Sequence, residues 1–169
     1  MEDFSEIFER YYRDVYIFLL KLSGRDNALA EEVAQETFYQ AYLGITNFRG
    51  QCQLKTWLFQ IAKNQFYMIL RKKRVTTIPI SEIDAELMDL SPGPDEKAIF
   101  KQLMTDARRI IDTMEDKMRD VMLYRIFSDL SYQQIASLKG IGESSAKVLF
   151  HRGKLLLRKR LKEEYGYEI

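Results

Sequence analysis

The sequence predicts an all-α protein made of two small helical domains joined by an acidic linker that contains proline. Apolar residues recur at helical spacing on both sides of residues 75–95, and no strand pattern competes in the first half. The three prolines, Pro79, Pro92 and Pro94, all lie within that segment, and proline is excluded from helix interiors. We therefore expect domains at 1–74 and 96–169, with the linker at 75–95.

The charges are strongly segregated although the net charge is only +1. Residues 1–47 carry 4 bases and 9 acids, 48–74 carry 7 bases and no acid, and 75–97 carry 1 base and 6 acids. Residues 98–130 carry 6 of each, and 131–169 carry 8 bases and 4 acids. Two basic blocks predict two contacts with a polyanion, and the acidic blocks suit a basic protein partner.

The composition argues against several classes of function. A single cysteine, Cys52, excludes an internal disulfide, and one cysteine with one histidine (His151) makes a zinc site improbable. We expect no metal, no cofactor and no catalysis, because clustered carboxylates and a glycine-rich phosphate loop are also missing from the sequence. Without a signal peptide or a membrane-length apolar run, we expect a soluble intracellular protein.

The first domain is predicted to contain three helices. Residues 2–22 have amphipathic spacing, and Gly24 ends that helix. A second helix runs from the N-cap candidate Asp26 to about Leu43, and a third begins at about Leu54. The predicted inward residues of the last two helices are Leu29, Val33, Thr37, Ala41, Trp57, Leu58, Ile61, Ala62 and Ile69.

Residues 48–74 interleave bases with aromatic rings, which is a pattern typical of nucleic-acid binding. Cations attract phosphates, and flat rings can stack on unpaired bases. The alternative is a solvated basic helix whose rings are simply core. The residues involved are Phe48, Arg49, Lys55, Trp57, Phe59, Lys63, Phe66, Tyr67 and Arg71 to Arg74.

The second domain is predicted to end in a helix-turn-helix motif. Ser131 would cap a short helix, Ala136 is small where two helices cross, Gly140 permits a tight turn and Ile141 fills the core. The next helix would bury Ala146, Phe150, Gly153 and Leu157. Its opposite face presents small polar and basic side chains, as a helix that enters the major groove does. An ordinary helical hairpin remains the alternative, and Arg158 to Arg160 would contact phosphate or simply be solvated.

With both halves in view, the chain resembles the extracytoplasmic-function (ECF, group 4) sigma factors of the bacterial sigma-70 family. The stretch from Leu29 to Phe38 is similar to the helix that docks on the polymerase clamp. Phe48-Arg-Gly, Thr56-Trp-Leu-Phe-Gln-Ile-Ala-Lys-Asn64 and Arg71 resemble the segment that melts and reads the −10 element. Leu130-Ser-Tyr-Gln-Gln-Ile-Ala136, Gly140-Ile141, Lys147 and His151-Arg152 resemble the −35 reader.

The resemblance implies a sigma region 2-like bundle at 1–74, a region 4-like helix-turn-helix at 96–169, and three sets of binding residues. Polymerase would contact Glu31, Glu32, Gln35, Glu36 and Phe38. Melted −10 DNA would contact Asn47, Phe48, Arg49, Gln51, Gln53, Lys55, Lys63, Asn64, Tyr67 and Arg71. Duplex −35 DNA would contact Ser144, Ser145, Lys147, Val148, His151, Arg152 and Lys154.

Physical chemistry suggests how the −10 residues divide their work. A base leaves the duplex at a cost of a few kcal/mol, and stacking on an aromatic ring returns about 1–3 kcal/mol. We expect Arg49, Lys55, Lys63 and Arg71 to hold phosphate, and Asn47, Gln51 and Gln53 to discriminate bases. Trp57 is assigned to the core, and Phe59 or Tyr67 is expected to be the exposed ring.

Three departures from the family pattern bear on specificity. Met68 stands where aspartate is usual, Ser145-Ala146 replaces a common Thr-Val, and Leu149 stands where many members carry arginine. The expected partners are core RNA polymerase, promoter DNA and an anti-sigma factor. The expected location is the bacterial cytoplasm, and a membrane-anchored anti-sigma factor could hold the protein at the membrane. The competing function is a helix-turn-helix regulator that binds duplex DNA without joining the polymerase.

Overall fold

The structure, a computed structural model, describes residues 3–76 and 95–168, without the side chains of residues 74–76 and 95–96. Seven α-helices and one 3₁₀ turn make up these residues, and no strand occurs within them. Most of the linker predicted at 75–95, including its apolar residues, lies outside the described part. The helices are α1 Phe4–Leu22, α2 Asn27–Gly44, α3 Leu54–Thr76, α4 Asp95–Asp112, α5 Asp116–Phe127, α6 Tyr132–Lys139 and α7 Glu143–Tyr165, with the 3₁₀ turn at Ile45–Asn47.

Local sequence signals set the first helix boundaries. The Asp3 carboxylate accepts from the Ser5 amide and begins α1, and the Asp26 carboxylate accepts from the Leu29 amide at 3.0 Å and begins α2. Between them, Gly24 adopts a φ of +70°, which glycine takes without steric cost. The predicted ends of α1 and α2 are thus confirmed to within two residues.

The amino-terminal half (α1–α3) packs as three helices around a shared core. Leu29, Val33, Thr37 and Ala41 are buried as predicted. From α3, Leu58, Phe59, Ala62 and Phe66 enter the core, whereas Trp57, Ile61 and Ile69 are partly buried at its edge. The inward stripe of α3 is therefore rotated toward Phe59 and Phe66 relative to the prediction.

In the carboxy-terminal half (α4–α7), the helix-turn-helix motif is confirmed. Ser131 and Gln134 form a reciprocal capping box at the start of α6, with each side chain bonded to the other residue's amide. Gly140 ends α6 at a φ of +65°, and Ile141 packs against the core. Ala146 is fully buried on α7.

The two helices α5 and α7 approach closely at a glycine. A Cβ atom on Gly153 would lie 2.6 Å from Met122 Sδ, well inside van der Waals contact. Any larger residue would displace Met122, which is fully buried. Gly153 therefore fixes the spacing at which α7 presents its outer face.

The buried side chains of both halves form one continuous cluster. Phe18 of α1 stacks on Phe59 of α3 at 5.0 Å between ring centroids, and its ring also stacks on Tyr124 of α5 at 6.1 Å. Phe18 and Tyr124 are each no more than 1% exposed. The contact places α5 and α6 against the basic helix α3.

Candidate nucleic-acid interface

The loop before α3 is held by an aromatic contact at its base. The rings of Phe48 and Trp57 lie 5.0 Å apart, and Trp57 also packs over Gly44, where an added Cβ would lie 3.5 Å from the indole. Gly50 turns the loop at a φ of +69°. Asn47 and Arg49 remain exposed on this support. The loop thus presents polar and basic groups from an anchored turn.

The expected stacking rings are not where the sequence placed them. Phe59 is only 2% exposed and packs on Phe18, so the expectation that it is an exposed ring is wrong. Tyr67 is half-buried, and its hydroxyl donates to Asp112 Oδ1 at 2.6 Å. Burial, followed by the Asp112 charge, raises the pKa of Tyr67 above its ordinary range. Among the predicted rings, Phe48 lies in the loop itself and is partly accessible.

Several of the predicted −10 residues contact the carboxy-terminal half instead of solvent. Lys63 Nζ lies 2.9 Å from Asp120 Oδ2, with the two side chains 12% and 3% exposed. Lys55 Nζ lies 3.0 Å from Asp129 Oδ2 and 3.3 Å from Asp14 Oδ2. The pairs with Asp120 and Asp129 join the basic face of α3 to α5 and to the α5–α6 connection, whereas Asp14 lies on α1 of the same half.

Neutral hydrogen bonds continue the same contact along α6. The Gln134 amide donates to Gln53 Oε1 at 2.8 Å, and the Ser137 hydroxyl donates to the Gln51 carbonyl at 3.3 Å. A small polar pocket beside these bonds is lined by Cys52, Gln53, Thr56, Gln133, Gln134 and Ser137. The end of the predicted loop therefore contacts α6 through the Gln53 side chain and the Gln51 backbone, while the side chains of Asn47 and Gln51 stay exposed.

Asp120 is the centre of a buried charge cluster. It accepts from Lys63 and Lys139, and Arg119 Nε lies 3.6 Å from its other oxygen. Burial pushes the pKa of Asp120 upward, but the Lys139 and Lys63 ammonium groups outweigh it and hold that pKa below its ordinary value. The pKa of Lys63 is lowered by burial, with Lys139 and Arg119 adding repulsion. A single carboxylate thus serves three cations.

The other predicted −10 residues remain accessible. Asn47, Arg49, Asn64 and Arg71 are exposed. The carboxy-terminal half partly buries Lys55, Lys63 and Tyr67. Gln51 and Gln53 also bond to it, Gln51 through its backbone carbonyl, but both residues remain exposed.

Of the five residues of α2 that are expected to contact polymerase, all except Phe38 are at least partly exposed. Glu31, Glu32 and Gln35 are exposed, and Glu36 is half-buried, accepting from the Gln40 amide at 2.8 Å. Phe38 must be removed from the direct polymerase contacts, because it is 3% exposed and packs on Phe8 and Tyr12 inside the core. Its contribution is to hold α2 against α1.

An open cleft separates the acidic face of α2 from the basic end of α3. Lys73 Nζ bonds Glu32 Oε2 at 2.8 Å across it. Met68, one of the departures from the family pattern, is 41% exposed and lines this cleft. Its side chain therefore belongs to the surface shared by α2 and α3.

The outer face of α7 is open along its first three turns. The predicted −35 residues Ser144, Ser145, Lys147, Val148, His151, Arg152 and Lys154 are all exposed. Lys147 makes a surface pair with Glu143 at 3.4 Å, one helical turn away. Leu149, where many family members carry arginine, packs against the core, so this position offers no charge to DNA.

Sequence reasoning missed the carboxylates that face α3, namely Asp112, Asp120 and Asp129. A signal existed for Asp120 alone, since it lies within the apolar run of α5 between Met118 and Tyr124. A charged residue on a buried helix face requires a partner. The partner of Asp120 on α3, Lys63, could not be identified from the sequence pattern around either residue.

Residues 3–76 and 95–168 contain neither a membrane-spanning helix nor a cluster of metal-binding side chains. No helix there is long and apolar enough to cross a membrane. No group of three or more His, Cys, Asp or Glu side chains in those residues is placed to hold a metal ion.

Comparison with known proteins matches both halves to one family. The Sigma-70 region 2 model matches residues 7–76, and the Sigma-70 region 4 model matches residues 105–157. The ECF sigma factor SigM of Bacillus subtilis is 31% identical over 96% of this chain and 94% of its own. SigW of the same organism is 28% identical over 95% and 89%.

Solved structures share the fold over nearly the whole chain. The sigma factor RpoE in complex with the anti-sigma factor NepR, from Bartonella quintana, superposes with a TM-score of 0.59 at 21% identity. The match covers 97% of this chain and 99% of that one. CnrH in complex with the cytosolic domain of CnrY superposes with a TM-score of 0.57 at 17% identity, covering 95% and 88%. With two family models in the expected order and a relative aligned end to end, the chain belongs to the ECF sigma factors, the non-catalytic subunits that bind RNA polymerase and direct it to specific promoters.

Proposed function

We propose that this sigma factor divides promoter recognition among three surfaces. The α2 face docks on core RNA polymerase, the loop 47–53 with α3 takes the melted −10 strand, and the outer face of α7 reads −35 duplex. The observation that carries the proposal is the wholly exposed polar and basic face of α7, backed by a buried face that fixes its position.

The −35 assignment rests on the helix-turn-helix geometry. The first turn of α7 offers Ser144 and Ser145, which are short enough for close approach to base edges. Lys147, His151 and Arg152 follow at one-turn spacing on the same exposed side and can reach bases or phosphates. Ala146 and Gly153 hold the opposite side against α5 and α6.

The −10 assignment rests on the anchored loop and the bases behind it. Asn47 and Gln51 carry amide groups that can bond the edge of an unpaired base. Arg49 and Arg71 are exposed and can hold the strand's phosphates. The contact between Phe48 and Trp57 anchors the loop to the first turn of α3.

The docking assignment rests on the charge of α2. Glu31, Glu32 and Gln35 lie exposed on one side of the helix, with Glu36 at its edge. A face of this kind suits a basic protein partner, and in the family the corresponding helix docks on the polymerase clamp.

The remaining proposed partner is an anti-sigma factor. One solved sigma factor of the same fold, RpoE of Bartonella quintana, is bound to the anti-sigma factor NepR. We propose that this chain is likewise regulated, acts in the bacterial cytoplasm and is held near the membrane when its anti-sigma factor is membrane-linked. A regulator that binds duplex DNA through α6 and α7 alone is not favoured, because it would not need the region 2 match at 7–76.

The test is transcription in vitro by purified core polymerase with this protein. Overexpression followed by sequencing of new RNA 5′ ends identifies the promoters, which are then supplied as templates. We expect specific initiation that depends on the added protein. The proposal fails if no promoter responds and the protein does not co-purify with core polymerase at low salt.

Glu36→Lys tests the docking surface. Reversing a charge at the edge of the acidic face should weaken binding to core polymerase by about tenfold or more, since like charges would then meet at the interface. Binding of the variant to −35 duplex should be unchanged. The matched control is Glu9→Lys, the same charge reversal at an exposed position of α1. Equal losses of core binding and duplex binding would contradict the assignment.

A further inference from the structure

We infer that in the free protein the carboxy-terminal half closes over the strand-binding surface, with its carboxylates standing where DNA phosphates would bind. This rests on the proposed −10 role of α3 and adds a regulatory state to it. The two halves must separate before the melted strand can reach Lys63 and Lys55. We call the contact between α3 and α4–α6 the closed interface.

The coverage of the site is selective. Of the ten predicted −10 residues, five bond to the carboxy-terminal half: Gln51, Gln53, Lys55, Lys63 and Tyr67. None of the seven predicted −35 residues is covered in the described part of the chain. A non-functional packing of two domains would have no reason to select one DNA surface and spare the other.

The groups that cover the site imitate a nucleic-acid backbone. Asp112, Asp120 and Asp129 each place a carboxylate oxygen within 3.0 Å of a donor on α3. Carboxylates and phosphates are bound by the same cations, so the two compete for Lys55 and Lys63. The Gln134 side chain likewise occupies Gln53, which would otherwise be available to a base.

The closed interface is suited to opening. The contacts from α3 are ion pairs and polar bonds, and buried ion pairs lose in desolvation much of what they gain in attraction. The apolar stack of Phe18 on Tyr124 is the part of the junction that opposes opening. Eighteen residues, 77–94, separate the end of α3 from the start of α4, and a chain of that length spans at most about 60 Å when extended. The halves can therefore part by more than one DNA turn, about 34 Å, while remaining one chain.

The protein carries its own reporter of closure. Cys52 is the single cysteine and lines the polar pocket against Gln134 and Ser137 of α6. Burial also raises the pKa of its thiol, which lowers the fraction of reactive thiolate. Opening should therefore speed alkylation of Cys52 in the unlabelled full-length protein.

The experiment compares Asp120→Asn with Asp116→Asn in the full-length chain. Both changes remove one carboxylate from α5, but Asp116 is exposed and faces only Arg119. Two quantities are measured: the rate of Cys52 alkylation by N-ethylmaleimide, and the affinity for a fluorescent random-sequence single strand of about 12 nucleotides. A random-sequence duplex serves as the probe for α7.

Asp120→Asn should raise both the alkylation rate and the single-strand affinity by roughly tenfold or more, because it leaves a buried cation without its counter-charge. Duplex affinity should change no more than it does in Asp116→Asn. Asp129→Asn provides a second opening variant with little risk to folding, since Asp129 is exposed and its ion pair is with Lys55. It should shift the same two quantities in the same direction by less. Thermal melting confirms that each variant is folded.

Two results would overturn the inference. Unchanged alkylation in a folded Asp120→Asn protein would mean that the interface does not close the site, and promoter-directed transcription would still stand. Faster alkylation without a gain in single-strand affinity would mean that the covered surface is not the strand-binding one, which also removes the proposed −10 role of Lys63.

Discussion

The two surfaces proposed to read DNA are presented in opposite ways. The outer face of α7 is open, and its only ion pair among the predicted −35 residues is the surface contact of Lys147 with Glu143. The basic face of α3 is half covered, and Lys63 is tied to a carboxylate that is 3% exposed. In the proposed scheme, the α7 face is available to duplex DNA at all times, whereas the α3 face must first be uncovered.

The difference follows from what each surface recognises. A helix in the major groove distinguishes sequences by base edges, so exposure alone causes little misbinding. A surface that stacks bases and holds phosphates accepts almost any single strand. An uncovered α3 would therefore bind transcripts as readily as a melted promoter. Covering it with carboxylates restricts this binding to the opened state.

The largest effect should come from removing the ring that joins the two halves. Phe18→Ala deletes a side chain that is 1% exposed and stacks on both Phe59 and Tyr124. Truncating a buried phenylalanine typically costs about 3–5 kcal/mol, so the free energy of unfolding should fall by that amount. Denaturant titration measures it, with Cys52 alkylation measured below the transition.

Phe100→Ala is the matched control, because Phe100 is 56% exposed on α4. It should change the free energy of unfolding by no more than about 0.5 kcal/mol. If Phe18→Ala were as mild as this control, the continuous core between the halves would not exist in solution, and the covered surface would lose its physical basis.

The sequence predicted those parts of the fold that depend on local signals. Asp26 and Ser131 cap helices because their side chains bond amides three residues ahead, and such contacts need no knowledge of the rest of the chain. Gly140 marks a turn for the same reason. Helical periodicity predicted which residues between 144 and 154 lie on the outer face of α7, and these residues are exposed in the structure.

The covered surface depends on contacts between distant residues. Lys63 meets Asp120 across 57 positions, and Gln134 meets Gln53 across 81. Periodicity places each group on a face of its own helix but does not say which faces meet. The error at Phe59 has a related cause, because Trp57, Leu58 and Phe59 are consecutive and a small rotation of α3 decides which of them is buried. Phe38 was misassigned because a motif match does not distinguish a contact from a support.

An intermediate effect should mark the open surface. Lys147→Ala should weaken binding to a duplex carrying the mapped −35 element by about 1–3 kcal/mol, the range for a specific base contact. Cys52 alkylation should be unchanged, since Lys147 lies away from the closed interface. Lys162→Ala, an exposed change near the end of the same helix, is the control. Equal losses of duplex affinity in the two variants would mean that α7 attracts DNA through its overall positive charge and does not recognise the −35 sequence.

The smallest effect should be a salt dependence confined to the covered surface. The Lys55–Asp129 pair is partly solvated, with side chains 23% and 72% exposed, and such pairs contribute about 0.2–1 kcal/mol and are screened by salt. Raising NaCl from about 50 mM to about 500 mM should therefore speed Cys52 alkylation by less than about fivefold. The buried Lys63–Asp120 pair is screened much less and keeps most molecules closed. Asp129→Asn should alkylate faster at low salt and respond less to added salt. A wild-type rate that is independent of salt, together with an unchanged rate in Asp129→Asn, would leave the buried cluster around Asp120 as the sole electrostatic element of closure.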